Sequence, residues 1–241
     1  MNVIFCTSPF QVLVAREVVR YVKEDFIGIY LKMSDDARQT FYAERMTEFC
    51  KEVIVLEGKT VFEDIQHFLK DKEISNLYLA SLDNPVALSI FNPSTMSLYT
   101  FDDGSTSIVP LNLYTQNLEK GIPYTNFTLR EVMSLSNKHY TVFDDCLLFP
   151  KEKQVFLRFH LEPSHCHRAK NGKKISVFLG QFLGSLLYQE DLEITQKITA
   201  KILNEQEIDY YYPHPRVPLN PYQDKLKETR FCFEEEIYLL L

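Results

Sequence analysis

The chain has 241 residues, 45% hydrophobic, 24% charged and 13% aromatic, with a formal net charge of −7 at pH 7. These proportions allow a sizeable buried core and exclude the disordered, fibrous and collagen-like classes. The acidic balance excludes a general basic footprint for nucleic acid, so an anionic ligand has to be met by a local site.

Residues 3–6 read as a buried strand, Thr7-Ser8-Pro9 as helix-start chemistry, and residues 10–23 as an amphipathic helix with Val14, Val18, Tyr21 and Val22 at helical spacing. Then follow a strand at 26–31, a helix at 35–50, a strand at 52–56, a helix at 60–70, a strand at 76–80, a short helix at 85–90 and a strand at 97–101. Strand and helix alternate as in a parallel sheet covered on both faces, whose strand-to-helix loops share one edge. Residues 110–138 are less regular, with a break at Gly121-Ile122-Pro123 and a short helix at 128–135. Strands are expected at 140–143 and 155–159, the second on a sheet edge.

Between residues 162 and 174 the composition shifts to Glu-Pro-Ser, His-Cys-His and Asn-Gly, which reads as a linker. Alternation restarts with a strand at 175–179, a Gly180-Gln181 loop, a helix at 192–203 and a strand at 208–212 ahead of Pro213-His214-Pro215-Arg216. The expected organisation is an amino-terminal α/β domain over residues 1–161, a linker over 162–174 and a second α/β unit over 175–241. That second unit is short for a nucleotide-binding half, as if the chain were truncated or a region missing.

Cys6, Cys50, Cys146, Cys166 and Cys232 are scattered, odd in number and free of any CxxC spacing. This argues against a disulfide framework and for a reducing compartment. The start resembles no signal peptide, and no window approaches ~18 uncharged apolar residues. Cytoplasmic residence is expected, with peripheral membrane contact left open.

Two stretches carry chemistry. Strand 97–101 runs directly into Asp102-Asp103-Gly104. Neighbouring strand side chains point to opposite faces, so only one of the two aspartates can face a cleft while the other holds the turn. Gly104 permits a backbone conformation closed to other residues. Ligands of open α/β sheets collect beyond the carboxyl ends of strands, which makes one of these carboxylates a candidate general base; the competing reading is an Asx turn. The second stretch is His214-Pro215-Arg216, again after a strand. Two prolines hold a histidine that titrates near neutrality and an arginine able to grip phosphate; here the competing reading is a proline-bounded turn with a solvated histidine.

The opening Asn2-Val3-Ile4-Phe5-Cys6-Thr7-Ser8-Pro9-Phe10-Gln11-Val12-Leu13, with Phe101-Asp102-Asp103-Gly104 and His214-Pro215-Arg216, resembles glycosyltransferase family 52, which includes lipooligosaccharide α-2,3-sialyltransferases. The resemblance implies a GT-B fold, two Rossmann-like domains facing a cleft. It also implies metal-free, inverting transfer of sialic acid from CMP-sialic acid to a terminal galactose of a bacterial surface glycan. By the family pattern Asp102 is the general base, supported by Asp103 and Gly104, and His214 stands at the leaving phosphate with Pro215 and Arg216. Gly180 and Gln181, at a strand end of the second unit, are expected to touch the donor nucleotide. A homodimer is implied on the same ground.

The chain departs from the pattern in one respect: no serine or threonine pair follows Arg216, Thr229 standing alone. Two functions compete: a different donor such as UDP-glucose, because the resemblance to family 52 also implies glucosyl transfer, and a nucleotide-binding module without turnover, because the second unit is short and the pair is missing. His165-Cys166-His167 has metal donors but no partner pair at ligand spacing, so no metal is expected. Asp35-Asp36 reads as helix-capping acid and Asp144-Asp145 as a solvated turn. His139 and His160 receive no role. With no tryptophan among 14 tyrosines and 18 phenylalanines, those rings are expected to fill the core.

Overall fold

The computed structural model describes residues 1–33, 37–110 and 112–160; beyond them it describes residues 177–179 and 210–212 and the helical positions 197, 200–202 and 205. The chain divides into two compact units, Met1–His160 and Leu161–Leu241.

The first unit is α/β. Its elements run β1 (Asn2–Cys6), α1 (Pro9–Val22), β2 (Phe26–Leu31), α2 (Ala37–Arg45), β3 (Glu52–Leu56), α3 (Val61–Leu69), β4 (Asn76–Leu79), α4 (Pro85–Leu88), β5 (Ser97–Phe101), α5 (Leu113–Gln116), α6 (Leu129–Leu135), β6 (Ser136–Thr141) and β7 (Gln154–Phe156). All pairings are parallel, in the order β3-β2-β1-β4-β5-β6-β7. The order reverses between β1 and β4, the switch point where ligands of such sheets bind.

Every residue of β1 and β2 is buried, as a parallel sheet covered on both faces requires. Val3 and Phe5 join Ile27, Ile29, Leu77 and Leu79 in a core closed by Ile65 of α3, Ala87 of α4 and Val132 of α6. The expected filling by aromatic rings appears as a row across the strands: Phe26 packs edge-on to Tyr78 at 4.9 Å, Tyr78 stacks on Tyr99 at 4.7 Å, and Tyr140 extends the row. Ser8 caps α1, its side chain accepting from Gln11 N, with Pro9 in the first turn.

The strand expected at 155–159 is the shorter Gln154–Phe156 and the helix expected at 85–90 is Pro85–Leu88; three further differences are larger. The helix expected at 35–50 is Ala37–Arg45 followed by a 3-10 turn at Met46–Glu48. Strand β6 starts at Ser136 rather than 140, because Ser136 is wholly buried with its hydroxyl against Thr100, and a Ser-Asn-Lys start disguises a strand. Helix α5 lies in the stretch read as irregular, nucleated by the Asn112 side chain, which accepts from Tyr114 N and Thr115 N. In the second unit β8 (Val177–Leu179) pairs in parallel with β9 (Tyr210–Tyr212). Among the described residues no helix is long and apolar enough to cross a membrane, and Cys6, Cys50 and Cys146 are buried free thiols.

Candidate active site at the end of β5

The alternation expected after β5 is present. Asp102 turns inward and is 0% exposed, whereas Asp103 is half-buried on the other side of the strand end. Gly104 follows with φ +76° and opens a 3-10 turn over Gly104–Ile108. A left-handed residue here swings the chain away from the sheet directly after the carboxylates.

Asp102 ties β5 to β6. Its Oδ2 accepts from Val142 N at 2.7 Å, and its Oδ1 lies 3.1 Å from His139 Nε2. The other ring nitrogen, Nδ1, lies 3.0 Å from Thr100 Oγ1, which is 2.9 Å from Ser136 Oγ; Ser136 in turn donates to Lys138 O at 3.0 Å. Thr100 Oγ1 also donates to Lys138 O at 3.4 Å, so the chain of hydroxyls that starts at His139 ends on that carbonyl. The surroundings of the ring favour its protonated form. Burial pulls the His139 pKa down, but the Asp102 hydrogen bond, a hydrogen bond with Cys146 and the charges of both outweigh it and raise it. The Phe149 ring stacks on the imidazole at 4.3 Å.

Asp103 sits among three donors from three other elements. Gln11 Nε2 of α1 donates to Oδ1 at 2.5 Å; Ser81, beyond β4, and Tyr114 of α5 donate their hydroxyls to Oδ2 at 3.2 and 2.9 Å. Gln11 is itself fixed, because Thr7 N donates to its Oε1 at 2.6 Å and its Nε2 also donates to Ser81 Oγ at 2.9 Å. The ends of β1, β4 and β5 are thus joined around one carboxylate at the switch point of the sheet. Such a carboxylate is oriented and within reach of solvent, as a general base has to be.

The sequence profile of glycosyltransferase family 52 matches residues 23–228. The chain belongs to glycosyltransferase family 52. It is 25% identical over 255 residues to a CMP-N-acetylneuraminate:beta-galactoside alpha-2,3-sialyltransferase of Pasteurella multocida, covering 98% of this chain and 80% of that one. To an N-acetyllactosaminide alpha-2,3-sialyltransferase of Haemophilus influenzae it is 26% identical over 261 residues, covering 99% and 81%. The chain is a glycosyltransferase on this kinship.

Of the residues expected in the family 52 site, the structure places Asp102, Asp103 and Gly104 together. Gly180, Gln181, His214, Pro215 and Arg216 lie outside the described residues, as do Thr229 and His165-Cys166-His167. Sequence reasoning passed over Ser81 and Tyr114, gave His139 no role, and quoted Gln11 in the opening stretch without assigning it one. The signal for Gln11 was a polar residue at helical spacing from Val14 and Val18, and the structure buries it to 1% exposure. Asp102, His139 and Cys146 are the group of described residues that could hold a metal ion, with donor atoms within 4.8 Å of one another. Burial raises the Cys146 thiol pKa, but hydrogen bonding and charge from His139, with the Leu148 and Phe149 N–H groups, outweigh it and bring it below its ordinary value. The three groups already satisfy one another.

Proposed function

We propose that this family 52 chain is an inverting, metal-independent sialyltransferase of the GT-B type, moving sialic acid from CMP-sialic acid to a terminal galactose, with Asp103 as general base. The reading moves the base from Asp102, where the family resemblance put it, to its neighbour. One observation carries it: Asp103 is half-buried on the open side of the β5 end, oriented there by Gln11, Ser81 and Tyr114, while Asp102 is 0% exposed and faces inward. The donor and acceptor classes follow the names of the two relatives, which specify CMP-N-acetylneuraminate, a beta-galactoside and N-acetyllactosaminide.

On this reading Asp103 takes the proton of the galactose hydroxyl as its oxygen attacks the anomeric carbon, and CMP departs from the opposite face of the sugar. The leaving phosphate develops charge, which an imidazolium or guanidinium offsets. His214 and Arg216 are assigned that task, and Gly180, Gln181 and Pro215 contact with the donor. Asp102, paired with His139, holds the strand end from which Asp103 projects.

The test is CMP release from CMP-sialic acid with lactose as acceptor, run beside UDP-glucose as donor. Wild type is expected to release CMP only in the presence of acceptor and to leave UDP-glucose intact, and Asp103→Asn to abolish nearly all transfer. Full activity in Asp103→Asn would remove Asp103 from the chemistry, and UDP release would change the donor.

A further inference from the structure

Tyr114 has two roles on the surface of the first unit. Its hydroxyl donates to Asp103, and the residue also lines a pocket of about 240 Å³. Buried Ile122 and Leu129 supply apolar wall, and exposed Asp83, Asn117 and Lys120 supply polar groups. The volume falls below the ~300 Å³ at which pockets for drug-sized ligands begin, so it suits a single ring rather than a nucleotide.

The lining matches a sugar. A pyranose offers an apolar C–H face, which Tyr114, Ile122 and Leu129 can cover, and hydroxyls that need both acceptors and donors. The Asp83 carboxylate accepts; the Asn117 amide and Lys120 ammonium donate. A phosphate would fit poorly, since Asp83 shares the pocket with the single cation. Asp83 also feels Asp103: desolvation is the main cause raising its pKa, its own backbone N–H opposes that, the charge of Asp103 adds to the rise, and Lys120 opposes it. Pocket and proposed base are joined through Tyr114, which lines the one and donates to the other.

We propose that this pocket is an acceptor subsite that binds the second sugar of the glycan, the one to which the sialylated galactose is linked. The proposal rests on the reading of Asp103 as the base, which places the galactose beside Asp103 and its aglycone beyond Tyr114. Acceptors are then recognised as disaccharides, and a free galactoside lacks half of the contacts.

Two measurements test this. In the transfer assay, kcat/KM for lactose should exceed that for methyl β-galactoside about tenfold, and the Asn117→Ala/Lys120→Ala double variant should bring the ratio towards one. A wild-type ratio of one, or a ratio unmoved by the double variant, would overturn the subsite. Saturation-transfer NMR with lactose reads the pocket without turnover: the glucose-ring protons should receive saturation from wild type and lose it in the double variant. Their failure to do so in wild type, or persistence in the variant, also overturns it. Saturation of the glucose ring in wild type together with full transfer by Asp103→Asn would uphold the subsite and sink the reading of Asp103.

Discussion

Asp102 and Asp103 are adjacent, carry the same side chain and stand in opposite environments. The inner one closes a network with His139, Thr100, Ser136 and the Val142 N–H; the outer one receives Gln11, Ser81 and Tyr114 on the open side. Strand alternation puts the two on opposite sides, and β6 supplies the partners of the inner one. The difference teaches that a paired-acid motif at a strand end can divide labour between holding the backbone and presenting a base, and that the two jobs show up in different measurements.

The sharpest way to break the comparison is Asp103→Asn. Loss of a general base costs about 10²–10⁴ in rate, and the thermal midpoint should stay near that of wild type. A large fall in midpoint would mean that the outer carboxylate is structural after all. The inner residue should behave conversely: Asp102→Ala leaves the Val142 N–H and the His139 ring without their buried acceptor, which costs about 1–3 kcal/mol for each unsatisfied group, read from urea denaturation. Unchanged stability would show that the inner carboxylate does not hold the strand end.

Gln11→Ala removes a hydrogen bond to a charged group, worth about 1.5–3 kcal/mol. If that bond serves the transition state, kcat falls roughly tenfold to a hundredfold by this range, while donor binding measured by calorimetry holds. Gly104→Ala pays for left-handed backbone, about 1–2 kcal/mol, and nothing lies within 4 Å of the added Cβ to worsen it; Gly104→Asn should cost less, and equal losses would point to packing rather than φ. The finest probe is pH. The folded His139 pKa lies above the ordinary ~6.5 of the unfolded chain, so the native state binds the extra proton. Its stabilisation is complete below ~6.5 and is lost as pH rises through the folded pKa. His139→Gln should flatten that part of the stability–pH curve; an unaltered slope would assign it to another group.

Much of the fold was legible because apolar periodicity is a local signal: β2, β3 and β5 lie on the residues expected of them. What stayed hidden was set by distant partners. Ser136-Asn137-Lys138 reads as loop until Thr100 supplies the neighbour that makes a buried serine stable. Likewise, the motif located the carboxylates, and alternation said that one must face inward, but which one depends on β6 bringing the Val142 N–H and His139 to that side. His139 itself, without motif or spacing, becomes visible only through the parallel pairing of β5 with β6, which sets it opposite Thr100.

The amide of Gln11 has a further consequence. With its oxygen committed to the Thr7 N–H, only its NH₂ end can point at Asp103 and Ser81. The orientation admits no swap of the two ends, and the near-isosteric acid at this position would set a second negative charge against the first. A one-atom replacement, Gln11→Glu, is thus a harsher change than its size suggests, since it converts a crossbar linking three loops into a repulsive wedge.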